Sequence, residues 1–163
     1  MTVYSESITL QSRGKWVFHD VTDEVKSIVS NSNIKNGLAT VYSPHTTCTV
    51  LIQEDCHDAS NGTKFLFQDL MDIFERVIPR CQRVGQYRHP GPEHISVTKN
   101  RGEDLAWQLN THAHLRACIL CPSQTIPLND GKLSLGTFQR IYFLDLDDTR
   151  ARKRSVQVQV VGD

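Results

Sequence analysis

The sequence predicts an α+β fold built on a mainly antiparallel sheet, and three observations carry that reading. Short runs of alternating apolar and polar residues cluster towards both ends of the chain. Longer runs between them repeat apolar residues at helical spacing, and the order of elements lacks the regular strand-helix alternation of a parallel sheet. With 163 residues, a single compact domain over 1–163 is the simplest organisation: a sandwich-like sheet with a few packed helices.

Taken in order, residues 7–10 and 15–19 read as strands around the Arg13-Gly14 turn, an opening hairpin. Residues 20–30 read as a helix, because Asp23 and Glu24 suit its first turn and Val21, Val25, Ile28 and Val29 form an apolar stripe. Strands follow at 38–42 and 47–52. Pro44 lies between them, has no N–H to give and interrupts the ladder beside His45. Residues 65–78 are the clearest helix, with Leu66, Leu70, Ile73, Phe74 and Val77 assigned to the core. Residues 81–99 carry Gly85, Pro90, Gly91 and Pro92 and read as a long loop enclosing a short strand at 94–98. Residues 103–120 are helical in tendency, with a break at Asn110 and Thr111, both good caps. Strands at 124–128 and 132–135 flank Asn129-Asp130-Gly131, a hairpin turn that tolerates positive φ. Strands at 138–144 and 155–161 complete the chain.

Composition excludes several functions. Eighteen Lys plus Arg balance eighteen Asp plus Glu, which argues against a nonspecific nucleic-acid binder. No basic start leads into an apolar block and no apolar run is long enough to span a bilayer, so a soluble, cytoplasmic protein is expected. Five scattered cysteines suggest reduced thiols, and Cys118 with Cys121, lacking a second pair, read as buried small side chains. No phosphate loop, dinucleotide fingerprint or GxSxG elbow is present.

The residues with chemistry to offer gather around SPHTTCTVLIQE, 43–54. Alternation sends Thr46, Cys48, Val50 and Ile52 to one face and His45, Thr47 and Thr49 to the other, a face too polar for a plain core. His57, His89, His94, His112 and His114, with Glu54, Asp55 and Asp58, extend the set, and imidazole with carboxylate suits zinc and comparable divalent ions. On a helix His112 and His114 would diverge by about 200°. Arg150, Arg152, Lys153 and Arg154 follow Asp145, Asp147 and Asp148, either as a solvated turn or as an anion clamp.

Together, SPHTTCTVLIQE, the YRH of Tyr87 to His89, NTHAHLRACIL, DGKLSLGTFQRIYFLDLD and RARKR make the chain resemble the YjbQ family from about Ser43 to Val161. The resemblance implies a compact α+β homotrimer with a secondary thiamine-phosphate synthase activity, joining a pyrimidine methyl pyrophosphate to a thiazole phosphate. It places the family's polar signature on His45, Thr46, Thr47, Glu54, His89, Asn110, His114, Gly136 and Gln139. His112 stands where many relatives carry an acid, Phe138 where Trp is frequent, and Cys121 where Gly is frequent. The expected catalytic set is His45, His89, His114 and Glu54; Thr46, Thr47, Asn110, Gln139 and Arg152 are expected to bind a small phosphorylated metabolite. His45, His89 and His114 are expected to converge as ligands of a divalent ion, Zn or Mg, within one chain or between chains. A metal- or metabolite-binding protein without turnover, and a metal-dependent hydrolase of a phosphorylated metabolite, are the alternatives.

Overall fold

The computed structural model describes residues 1–60 and 62–163. Its larger sheet joins β1 (Thr2–Gln11), β3 (Gly37–Tyr42), β7 (Ser123–Asn129), β8 (Lys132–Leu133) and β10 (Lys153–Gly162) in the order β1-β10-β3-β7-β8. The smaller holds β2 (Val17–Asp20), β4 (Cys48–Glu54) and β9 (Gln139–Asp145) in the order β2-β9-β4, and β5 (Ala59–Ser60) pairs with β6 (Thr63–Lys64) as a short ribbon. Every pairing within them is antiparallel.

Side-chain alternation explains the layers. Along β10, Val156, Val158 and Val160 are buried while Lys153, Gln157 and Gln159 face solvent, so the larger sheet is wet on its outer side. β9 is buried on both sides. Its Ile141 and Phe143 pack with Val41, Val50, Val156 and Val158 between the sheets, where α1 (Thr22–Ser32) adds Val25 and Ile28. Leu144 points the other way, onto Met71 and Phe74 of α2 (Phe65–Val77) and Ala113 and Ala117 of α4 (Thr111–Leu120). Phe143 and Leu144 are fully buried, worth about 1.5–3 kcal/mol each. The stacking order is therefore larger sheet, smaller sheet, then α2 and α4, with α1 packed into the core between the sheets.

The α+β architecture, the break at Asn110-Thr111 and the hairpin at Asp130 (φ 49°) and Gly131 (φ 73°) are as the sequence predicts. Other elements differ. The opening strands form no hairpin: β1 pairs with β10 and β2 with β9, so the Arg13-Gly14 turn, with Gly14 at φ 70°, carries the chain from one sheet to the other. The expected strand at 94–98 is part of helix α3 (Pro92–Asn100), because Pro92 occupies its first turn, where a missing N–H costs nothing. The stripe of α2 is rotated: Phe67, Met71 and Phe74 are buried, while Ile73 and Val77 are exposed. Cys118 and Cys121 are exposed rather than buried, at the end of α4, and all five cysteines are free thiols. No helix among the described residues is long and apolar enough to cross a membrane.

Candidate functional site

The N-terminal end of α4 meets two loops, and the polar side chains of all three collect there. Asn110 precedes the helix; its carbonyl accepts the His114 N–H at 3.3 Å, placing both residues along one face. The His89 ring lies 5.7 Å from that of His114 and 4.8 Å from that of His94, centroid to centroid. The hydroxyl of Thr111 donates to the His89 carbonyl at 2.6 Å, so its only proton is committed and His89 Nδ1–H must donate to Thr111 Oγ1 at 3.0 Å. His89 therefore presents the lone pair of Nε2. His94 Nε2–H donates to Gln108 Oε1 at 2.9 Å.

Beneath these rings runs the 145–154 loop. Asp147, fully buried, accepts Asn110 Nδ2 at 3.0 Å on Oδ2, which is also paired with Arg152. Its Oδ1 takes the N–H of Thr149 at 3.0 Å and the hydroxyl at 2.6 Å. Among the described residues, four buried atoms here lack a hydrogen-bond partner: Asn110 Oδ1, Arg150 Nε, Arg152 Nε and Arg152 Nη2, the last in ion-pair contact with Asp147. Arg150 stacks over Trp107, 4.3 Å from the ring centroid. Burial holds the pKa of His89 below the usual imidazole value, reinforced by His94 and His114. Burial lowers His114 as well; a backbone hydrogen bond at Thr46 opposes that and Arg152 adds to it. The result is a face of neutral imidazoles over a carboxylate and a guanidinium.

A model of the family described as "UPF0047 protein YjbQ-like" matches residues 6–163. A UPF0047 protein of Archaeoglobus fulgidus is 32% identical over 90% of this chain and 94% of its own, and one of Methanothermobacter thermautotrophicus is 30% identical over 99% and 94%. The chain belongs to the YjbQ family. Among solved structures, a YbjQ-like protein of unknown function from Sulfolobus solfataricus superimposes with a TM-score of 0.76 at 26% identity, covering 99% of both chains. An uncharacterised yjbq/upf0047 protein of Clostridium acetobutylicum gives 0.72 at 31% identity, covering 96% of this chain and 99% of that one.

Within this YjbQ chain the expected site residues divide into three groups. His89, Asn110, His114 and Arg152 come together, and Thr46 touches them through His114. His45 does not join the imidazole row. The β3–β10 register, carried two residues beyond Tyr42 and Gln157, would set Pro44 opposite Ser155, and Pro44 interrupts that ladder. His45 Nε2 takes over, accepting the Ser155 N–H at 3.0 Å. Burial and the nearby Arg154 lower its pKa, as a nitrogen facing an N–H donor requires. Thr47 is buried and accepts from Arg154 Nη2 at 3.1 Å.

Glu54 and Gln139 form the third group. They face each other across the far end of the β4–β9 ladder, about 20 Å of strand from Cys48 at roughly 3.3 Å per residue. His112, two residues before His114, diverges as helical geometry requires: its Nδ1 accepts the Cys81 N–H at 3.2 Å and its Nε2–H donates to Asp148 at 3.2 Å, a buried clamp. Among the described residues of one chain, no three His, Cys, Asp or Glu side chains are grouped to hold a metal ion. Sequence reasoning missed Asp147 as a site residue. Its signal was the spacing of Asp145 and Asp147 against Arg152 and Arg154.

Proposed function

We propose that the His89–His114 face binds a phosphorylated metabolite and carries a transfer of the thiamine-phosphate synthase type, the secondary activity implied by likeness to YjbQ proteins. The observation that supports this is the group of orphaned buried atoms, Asn110 Oδ1 and Arg152 Nε among them, beside neutral imidazoles. In such a reaction the thiazole nitrogen attacks the methylene of the pyrimidine methyl pyrophosphate, forming a C–N bond. The C–O bond breaks and its electron pair leaves on pyrophosphate. The Arg152 Nε–H would donate to the departing oxygens, and Asn110 Oδ1 would accept from an N–H or O–H of the substrate. Within one chain Glu54 and Gln139, at the far end of the β4–β9 ladder, take no part in this face.

A divalent ion, zinc or magnesium, is the second reading. It is favoured by the His89 tautomer, because a ligating imidazole characteristically donates its other N–H to a fixed oxygen, here Thr111 Oγ1. Its remaining ligands would have to come from His114 and from outside the grouping found in one chain.

The test is thiamine phosphate formation by tag-free protein, with and without chelator, alongside elemental analysis. His114→Ala and Asn110→Ala should abolish turnover while leaving the melting temperature within a few degrees. Turnover equal to the parent in both variants would remove this face from the chemistry. Activity lost to chelation and restored by zinc would favour the metal reading.

A further inference from the structure

A second site lies on the helix side of β2. There a cavity of about 590 Å³, within the range of small-molecule sites, opens between β2, the start of α2 and Tyr142. It is separate from the His89–His114 face, and none of the residues argued for that face line it.

Its walls are aromatic. Phe18 and Phe67 stack with centroids 4.0 Å apart and planes 6° apart; Trp16 stands edge-on to Phe18 at 6.1 Å, and Tyr142 edge-on to Phe67 at 4.7 Å. Its charge is positive. Arg13 and Lys15 line the cavity, are exposed, and make no ion pair among the described residues. Lys64 is held at the cavity by Asp55 at 2.5 Å and by the Tyr142 hydroxyl at 3.0 Å, 5.4 Å from the Tyr142 ring centroid. Asp20, the acid on the wall, is already committed to Arg140 at 2.9 Å. His19 also lines the cavity, but its ring turns to Phe143 on the opposite face of β2.

An aromatic wall and two unpaired cations close together each call for a different part of one ligand: a flat ring and a doubly charged group. We propose that this cavity binds a phosphorylated heteroaromatic compound of mononucleotide size, with its ring in the aromatic wall of Trp16, Phe18, Phe67 and Tyr142 and its phosphate on Arg13 and Lys15. The cavity is a partly open pocket of small-molecule volume on a chain of zero net charge, which favours a small anion over a nucleic-acid strand.

Calorimetric titration of the full chain with uridine and adenosine 5′-monophosphates tests the proposal, with uridine and inorganic phosphate as separate arms. A nucleotide should saturate the protein, and each half alone should bind more weakly. In the Arg13→Ala, Lys15→Ala double variant, whose side chains are exposed and unpaired, affinity should fall by about tenfold or more, the worth of a charge-assisted contact. His114→Ala should bind as the parent does, which separates this site from the transfer reaction. Absence of saturable binding by either nucleotide, inorganic phosphate binding as tightly as the nucleotides, or unchanged affinity in the double variant would each overturn it.

Discussion

Asp145 and Asp147 leave the same end of β9, are both fully buried, and each faces an arginine, yet the two pairs do opposite things. Asp145 is closed. Its Oδ2 takes Arg154 Nε at 2.7 Å; its Oδ1 takes Arg154 Nη2 at 2.9 Å, the Asp147 N–H at 3.0 Å and Cys48 Sγ at 3.4 Å. Burial against that carboxylate pushes the Cys48 thiol far up, so it stays a neutral donor. Asp147 is open: its own oxygens are satisfied, but its partners Asn110 and Arg152 keep buried polar atoms unmatched. A buried ion pair whose every atom is matched fixes the ends of strands. One that leaves neighbours unmatched has room for something else.

The contrast is broken most forcefully at the closed pair. Asp145→Ala strands the Arg154 guanidinium, only 4% exposed, without a counter-charge, and should cost about 3–5 kcal/mol in chemical denaturation. Replacing both partners, Asp145→Leu with Arg154→Met, should recover most of that loss, because the penalty lies in the lone charge rather than in the missing attraction. A double variant as unstable as the single one would show that the pair positions Thr47 and Cys48 in a way apolar groups cannot. Asp147→Ala should cost less, roughly 1–3 kcal/mol, since Arg152 is about a quarter exposed and water can solvate it.

How far the sequence reveals this depends on whether a feature is local. The alternation of β10, the Asp130-Gly131 turn and the start of α4 after Asn110 are encoded by neighbours in the chain, and they stand where local pattern sets them. The α2 stripe is less well determined, because Leu66 to Val77 offers apolar residues around most of the helix; only the packing of Phe67 on Phe18 selects the buried side. The site was half legible. His89, Asn110 and His114 belong to motifs that the resemblance marks, but nothing local says that the His45 nitrogen is consumed by Ser155 or that Glu54 ends a strand away. Those facts depend on sheet register, which is long-range.

His45 belongs on the closed side of the comparison, and acid should reveal it. His19, His45, His89 and His114 all have folded-state pKa values below the usual imidazole value of about 6.5, with burial the main cause in each. The unfolded chain therefore binds more protons in this window. Stability is full above about pH 6.5 and is lost as pH falls through it towards the folded values. Asp20, Glu75 and Asp148, lowered by their partners, add a second loss further down, below about pH 4. His45→Ala should cost roughly 1–2 kcal/mol at neutral pH by orphaning the Ser155 N–H, and should flatten the first step of the profile. An unchanged slope would assign that step to His19 and the imidazoles of the open face.

The smallest effect on stability, and the most discriminating, is expected at Asn110. Its amide gives one hydrogen bond to an aspartate that keeps Arg152 and both donors of Thr149, so its loss removes about 1 kcal/mol of favourable interaction. The same substitution also removes Oδ1, a buried acceptor already paying a desolvation cost with no return, and that relief has a similar size. Asn110→Ala should therefore leave the denaturation midpoint almost unchanged while weakening any ligand that satisfies Oδ1. A loss of several kcal/mol would mean that Oδ1 is matched in the folded protein after all, and the open pair would then be as closed as its neighbour.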